Sequence, residues 1–295
     1  MKIRFIINPI AGGANRLKKI TEAVRELSLK RDGLFDIKAA KGGAHVGELS
    51  EEAVKMGFDI VYACGGDGTI NGVACKLVNT ETILGIIPAG SGNALAAALH
   101  IPREIKAAVG LLDGMQVREI DAGFTCNRYF FSTAGFGIEA YLSKQYNGSR
   151  VIRKIRGVGP YFPLALAGYL TYRPGLVKIA ADGMRMDMVP LILTAANTDQ
   201  FGRGAYIAPG AKPDDGALDL CLAPVTNLRG ALALAGRLFS RKIDKSQGFK
   251  RVRVREISIT GRGEWVCHVD GEPFDWSGDI SIKVVQKALK VLVKG

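Results

Sequence analysis

The segment YACGGDGTINGVACKLV, Tyr62 to Val78, packs Gly65, Gly66, Asp67, Gly68 and Thr69 between an apolar run and an amphipathic one. Ile60 to Ala63 read as a buried strand. Ile70, Val73, Ala74, Leu77 and Val78 follow the i, i+3, i+4, i+7, i+8 spacing of one helix face. The glycines therefore sit in a strand-to-helix turn, where open α/β sheets bind ligands. Glycine lets backbone N–H groups approach an anion closely, and the helix N-terminus adds partial positive charge. A carboxylate beside a phosphate is repulsive unless a cation lies between them. Asp67 in this turn thus suggests Mg²⁺, which prefers one or two carboxylates plus phosphate oxygens. The plainer reading is a glycine-rich turn with Asp67 as an N-cap.

Two further loops share this design. NPIAGGANR, residues 8 to 16, follows the first apolar run, with Arg16 and Lys18 in the first turns of the next helix. PAGSGN, residues 88 to 93, follows the fourth. In a parallel sheet all three turns lie along one edge. None is a GxxxxGK[ST] phosphate loop or a GxSxG nucleophile elbow. VDGEP, residues 269 to 273, sets Asp270 and Glu272 two apart, the spacing of one strand face, with a plain hairpin turn as the alternative. Asp214, Asp215 and Asp219 in KPDDGALD form either an oxygen-ligand site or a solvated turn. Five cysteines without a CxxC and three histidines without metal spacing support neither a disulfide framework nor a zinc site.

The elements that must position these residues come in two styles. KIRFII, FDIKAA, DIVYAC and ILGIIP read as strands. They alternate with helices near Asn15 to Leu29, His45 to Met56, Ile70 to Val78, Ala94 to Leu99 and Ile105 to Leu112. That alternation implies a parallel sheet. After Asp121, runs rich in β-formers recur (RYFFST, LVKIAA, MVPLILTAAN, ALDLCLAPV, VREISITG, EWVCHVDG, DISIKVV), and Asp182-Gly183 is a hairpin signal. Helices fall near Gly137 to Lys144, Leu164 to Tyr172 and Leu228 to Arg241. The expected class is α/β plus all-β: a Rossmann-like domain over 1–120 and an antiparallel β domain over 121–283. Residues from about 284 to 295 return to the first domain.

The 295 residues are 47% hydrophobic and 23% charged, as in a folded globular protein. The first residues, MKIRFIINPIAGG, have too short an apolar run for a signal peptide. The apolar stretch from Gly157 to Tyr172 is short for a membrane span and holds Pro160 and Pro163, so the expected location is cytoplasmic. The net charge of +12 is uneven. RVIRKIR, residues 150 to 156, has no acid, and nine Lys or Arg lie between Arg229 and Arg255 against Asp244 alone. Such clusters attract anionic membrane or phosphorylated ligands, or simply form a solvated face. Nucleic acid is not expected, because aromatics are 7% and are not interleaved with the basic clusters.

In order along the chain, GGDGT, PAGSGN, AGFGIEA (134–140), KPDDGALD and VDGEP resemble the diacylglycerol kinase and sphingosine kinase family of soluble lipid kinases. The resemblance spans nearly the whole chain. It implies an N-terminal NAD kinase-like domain, a C-terminal β-sandwich, and a nucleotide held between them. By this resemblance Asn8, Pro9, Gly12, Gly13, Arg16 and Ala40 lie by the nucleotide. Gly65, Gly66, Asp67, Gly68, Thr69 and Asn71 hold phosphates and the metal network, and Gly90, Ser91 and Asn93 contact nucleotide or phosphates. Glu272 matches the position of the proton acceptor, with Asp270 beside it, and Asp121 is a candidate contact to the acceptor head group. A structural Mg²⁺ would use the carboxylate of Asp215 and the carbonyls of Lys212 and Ala217.

Three positions depart from many bacterial members: Ala40 replaces a Thr, Gly72 a Glu and Ala94 an Asp. The implied activity is transfer of the ATP γ-phosphate, with Mg²⁺, to a hydroxyl of a diacylglycerol-like or sphingoid-like lipid. The protein would dock peripherally on anionic membrane, with Leu228, Leu232, Ala235, Leu238 and Phe239 at the interface. A homodimer is compatible with the sequence. The rivals are an NAD kinase-like enzyme with a soluble acceptor and a lipid- or nucleotide-binding homologue without catalysis, which the missing acids at 72 and 94 would favour.

Overall fold

A computed structural model describes all residues except 10–13, 91, 149–160, 203 and 262, with backbone only at 14–16 and 161–164. The basic run 150–156 lies outside the described residues. The chain divides into two units, Met1–Ile120 with Lys287–Gly295, and Asp121–Gln286.

The first unit alternates β1 (Lys2–Ile7), α1 (Ala14–Ser28), β2 (Leu34–Ala39), α2 (Gly43–Lys55), β3 (Ile60–Gly65), α3 (Asp67–Leu77) and β4 (Ile83–Pro88). Three short helices follow, α4 (Ala94–Ala98), α5 (Ile105–Val109) and α6 (Leu111–Gly114). The strands run parallel in the order β2-β1-β3-β4. Every residue of β3 is buried, which is why it reads as a continuous apolar run and not an alternating one. Tyr62 stacks on Phe5 of β1, with ring centroids 4.7 Å apart. Arg4 is an unexpected core member at 1% exposure. Its guanidinium meets Asp36 at 2.8 Å and Glu52 at 3.0 Å and lies over the Phe58 ring, so the buried charge is paired.

The second unit contains β5 (Gln116–Thr125, entering from the first), β6 (Arg128–Phe130), β7 (Thr133–Gly135), α7 (Ile138–Gly148) and α8 (Tyr161–Thr171). Then come β8 (Val177–Ala181), β9 (Met184–Met188), β10 (Pro190–Ala196), β11 (Leu218–Pro224) and α9 (Leu228–Phe239). The chain closes with β12 (Lys250–Val254), β13 (Glu256–Gly261), β14 (Glu264–Val269), β15 (Glu272–Ser277) and β16 (Ile280–Val293). One antiparallel sheet has the order β12-β11-β10-β7-β14-β15. The facing layer pairs β16, β13, β8 and β9. Phe130, Leu193, Leu220, Ile257, Ile259, Ile280 and Ile282 fill the space between them. Strands β8 and β13 alternate buried and exposed residues, whereas β10 is buried throughout. Its outer face is covered by a second cluster that includes Leu191, Ile192, Cys221 and Leu234 of α9. Strand β16 serves both units: Ile280–Lys283 pair with β13, and Val291 pairs in parallel with Leu84 of β4.

Candidate active site

In the first unit β3 and β4 run side by side to Gly65 and Pro88, so the GGDGT and PAGSGN turns leave one sheet edge together. They touch glycine to glycine. A Cβ on Gly90 would lie 2.5 Å from the Gly66 Cα, closer than real atoms come, so any side chain there would part the loops. Asp67 is the first residue of α3, but it does not cap its own helix. Its carboxylate accepts from Asn93 N–H and Ala94 N–H, both at 2.8 Å, and so caps α4 across the loop contact. Asn93 adopts a left-handed conformation, and its side-chain amide closes on Gly90, accepting from the N–H at 3.1 Å and donating to the carbonyl at 2.7 Å. Asn8, at the end of β1, donates to the Thr69 hydroxyl at 3.1 Å. The structure thus brings together Asn8, Gly65, Gly66, Asp67, Thr69, Gly90 and Asn93. The resulting cradle of glycine backbone ahead of the 11-residue helix α3 fits an anionic phosphate group.

Other expected nucleotide residues are placed as follows. Asn71 lies along α3 and accepts from the Cys75 thiol. Ala40 is buried after β2, with its N–H donating to Ile7. Pro9 and Gly68 are exposed. Gly12, Gly13 and Ser91 lie outside the described residues, as does the side chain of Arg16. Two of the three departures, Gly72 and Ala94, lie in close surroundings. A Cβ on Gly72 would lie 3.2 Å from Val46 Cγ1, so α2 leaves little room for a glutamate. Ala94 is buried and offers its N–H to Asp67, which takes both of the first amides of α4.

In the second unit Asp270 and Glu272 do not share a strand face, because Val269 pairs directly with Glu272. Asp270 (φ 46°) and Gly271 (φ 85°) form the two-residue turn between β14 and β15. The Asp270 carboxylate accepts from three successive amides, Phe131 at 2.9 Å, Ser132 at 2.8 Å and Thr133 at 3.0 Å. The Glu272 side chain is exposed and makes no hydrogen bond or ion pair among the described residues. Asp270 is thus tied into the turn, whereas Glu272 is exposed. Helix α7 grips the turn, with Ser143 and Asn147 donating to the Gly271 carbonyl.

Asp121 is 1% exposed, and its carboxylate accepts from Gly216 N–H at 2.7 Å. It braces the 212–219 loop. In that loop Asp215 meets the guanidinium of Arg253 at 2.8 Å and accepts from Ala217 N–H at 3.3 Å. Both carboxylate oxygens are therefore engaged by protein donors. The residues present fit this guanidinium better than a resident Mg²⁺.

Sequence reasoning assigned no role to Glu139, although it lies in the AGFGIEA motif. Its Oε1 accepts from Gly137 N–H at 3.0 Å and the Thr194 hydroxyl at 2.9 Å, while Oε2 is buried without a hydrogen-bond partner among the described residues. Burial raises its carboxyl to about 7, against the helix-turn hydrogen bonds that pull it down. His268 of β14 and Glu139 both crowd Gly135, where a Cβ would meet His268 Nε2 at 2.3 Å and Glu139 Cγ at 2.7 Å. Burial lowers the His268 imidazole to about 4. The two groups act oppositely on stability. Between the ordinary glutamate value of 4.5 and about 7, folded Glu139 holds a proton that the unfolded chain has lost, so its contribution falls as pH rises. Between about 4 and the ordinary histidine value of 6.5, unfolded His268 holds the extra proton, so its contribution rises with pH. Glu139→Gln is expected to remove the falling limb. Its stability relative to wild type should climb by roughly 3 kcal/mol between pH 4.5 and 7 in urea melts. A difference that stays flat with pH would place the ionised carboxylate in the folded state.

A parallel α/β unit with glycine turns at one sheet edge and an antiparallel sandwich unit define a class, the nucleotide-dependent phosphotransferases with a β-sandwich domain. The diacylglycerol kinase catalytic domain matches residues 2–125, and the YegS C-terminal NAD kinase beta sandwich-like domain matches residues 132–293. The chain is 31% identical to a Pseudomonas aeruginosa protein named "Probable lipid kinase YegS-like", over 93% of this chain and 88% of that one. It is 27% identical to the diacylglycerol kinase of Bacillus subtilis, over 92% of this chain and 89% of that one. A crystal structure of a diacylglycerol kinase from Bacillus anthracis shares the fold, with a TM-score of 0.74, 22% identity, and coverage of 99% of this chain and 97% of that one. The chain belongs to the diacylglycerol kinase family. It is an ATP-dependent lipid kinase.

Proposed function

We propose that this chain transfers the ATP γ-phosphoryl group, with Mg²⁺, to a hydroxyl of a membrane lipid such as diacylglycerol or a sphingoid-like amphiphile. The observation that carries the phosphoryl step is the Gly66–Gly90 contact pinned by Asp67. It presents backbone N–H groups and a helix N-terminus, the positioning that phosphoryl transfer chiefly asks of a protein. When bound with ATP, Mg²⁺ would neutralise the phosphate oxygens. The half-buried Asp67 carboxylate retains lone pairs beyond the two given to α4. Glu272 would take the acceptor proton. Asp270 and Asp121 are proposed as positioning residues for the turn and the 212–219 loop.

Lipid as acceptor rests on the family and on the surface of the second unit. Leu228 (40% exposed), Leu232 (57%) and Phe239 (38%) stand out from α9 among Arg229, Arg237 and Arg241. Leu238, expected at the interface, packs inward against the cluster over β10. Among the described residues no helix is long and apolar enough to cross a membrane, so access to lipid would be peripheral. Each Lys or Arg near an anionic surface contributes about 1 kcal/mol within a Debye length. Binding to phosphatidylglycerol vesicles should weaken steeply between 50 and 500 mM salt (about a threefold shorter Debye length), as read by cosedimentation. Salt-independent binding would mean apolar insertion instead. The decisive experiment incubates labelled ATP with a total lipid extract and identifies the product. Labelling of a soluble acceptor alone would favour the NAD kinase-like reading. Nucleotide binding with no labelled product would favour the non-catalytic one.

A further inference from the structure

We propose that in this chain the 212–219 loop is held by an arginine clasp, with Arg253 supplying the positive charge that a resident metal ion would otherwise provide. The strand register builds the clasp. Arg253 of β12 stands opposite Asp219 of β11, and Arg251 opposite Cys221, so both arginines project on one face of the edge strand. Arg253 reaches the Asp215 carboxylate at 2.8 Å, and its Nη2 lies 3.5 Å from the Asp215 carbonyl. Arg251 donates to the Pro209 carbonyl at 2.8 Å, and lies 3.4 Å from Asp244 and 3.8 Å from Asp219. Within the loop Gly216 gives its N–H to Asp121 at 2.7 Å and takes the Gln286 amide on its carbonyl at 3.2 Å. Pro213 accepts from Asp121 N–H.

Guanidinium suits this role. It is always charged, and a single guanidinium nitrogen, Nη2, carries the two N–H donors needed to face the Asp215 carboxylate and carbonyl together. Mg²⁺ needs near-octahedral oxygen ligands and gives up water reluctantly. To bind here it would have to displace Arg253 from the one loop carboxylate so engaged and then sit beside a like charge. The clasp concerns only this loop. It leaves untouched the Mg²⁺ proposed to accompany ATP, and it does not depend on which acceptor is phosphorylated.

The test uses the full chain without nucleotide. Metal content is measured by mass spectrometry, and melting temperature is measured in EDTA and in millimolar MgCl₂. Wild type is expected to carry no stoichiometric divalent metal and to melt within about 1 °C in both buffers, since only a bound ion stabilises by mass action. Arg253→Gln should melt about 2–4 °C lower in EDTA. Recovery of that loss by MgCl₂, absent when Asp215→Asn is added, would show that the cation and the guanidinium serve the same carboxylate. One divalent ion per wild-type chain would overturn the proposal. So would a wild-type melting temperature that falls in EDTA by the about 5–10 °C expected for a site saturated a hundredfold above Kd. An Arg253→Gln protein as stable as wild type in EDTA would also overturn it. If that variant does not fold, the wild-type metal content still decides.

Discussion

Asp67→Ala is expected to lower kcat by about 10²–10³ or more, the scale of losing one preorganised group at a phosphoryl or oxyanion site. This loss does not require Asp67 to touch the nucleotide. Its two oxygens hold Asn93 N–H and Ala94 N–H at 2.8 Å, and this pins the PAGSGN turn against the GGDGT turn. Removing the carboxylate leaves two partly buried amides without their acceptor, at about 1–3 kcal/mol each. It also frees the Gly66–Gly90 contact to open. A displacement of about 1 Å in a reacting group can alone cost about 10² in rate. The melting temperature should fall and nucleotide affinity, read with a fluorescent ATP analogue, should weaken together with kcat. Asp67→Asn separates two roles. Its amide oxygen can still accept from one of the two N–H groups, so part of the clip survives while the negative charge is lost. If Asp67 also faces the cation, the Mg²⁺ concentration for half-maximal rate will rise in both variants. If it is only a clip, that concentration will not move. Turnover within a few-fold of wild type would remove Asp67 from the reaction altogether.

Glu272→Gln should lower kcat by about 10²–10⁴, the usual range for a general base. The KM for ATP and the melting temperature should be nearly unchanged, because Glu272 is exposed and without a partner among the described residues. Asp270→Asn should show the opposite pattern. Its carboxylate gathers the amides of Phe131, Ser132 and Thr133, and an asparagine keeps only one acceptor oxygen for them. The loss should be about 2–3 kcal/mol of stability, or roughly 5–10 °C in melting temperature. A low kcat in Asp270→Asn with unchanged melting temperature, beside a fully active Glu272→Gln, would move the base to Asp270. If neither variant loses activity, VDGEP is only a turn.

The contrast between these two acids shows where the sequence could be read and where it could not. The parallel unit is legible because β1, β3 and β4 are buried on both faces and the longer helices carry a clear 3.6-residue stripe. The boundary was harder. Gln116–Thr125 is a ten-residue strand entering the second unit, but its first half, QVREI, is charged and largely exposed and does not alternate cleanly. The Asp182-Gly183 dipeptide signals a hairpin, and its residues adopt φ 42° and 87°. The same dipeptide at Asp270-Gly271 reads either as part of a strand, with Asp270 and Glu272 on one face, or as a plain hairpin turn, and the structure shows the turn. The partners of Asp67, Asp270 and Asp215 lie 27, 139 and 38 positions away or nearly so, at spacings that follow no local period. Such pairings are set by the sheet, and only the fold reveals that three conspicuous aspartates spend their oxygens on backbone amides or a guanidinium.

Strand β16 orders the life of the chain as well as its shape. The edge of β4 is closed by residues around Val291, Asn79 N–H bonds to Ala288, and Lys290 pairs with Glu81. The span 2–125, which matches the catalytic domain, therefore lacks the strand that finishes its own sheet. Expressed alone, it would present the row of unpaired backbone groups on β4 that invites aggregation. On the ribosome, Leu84 is made long before Val291, and at 5–20 residues per second the wait is about 10–40 s. The half that is translated first is the half that is sealed last.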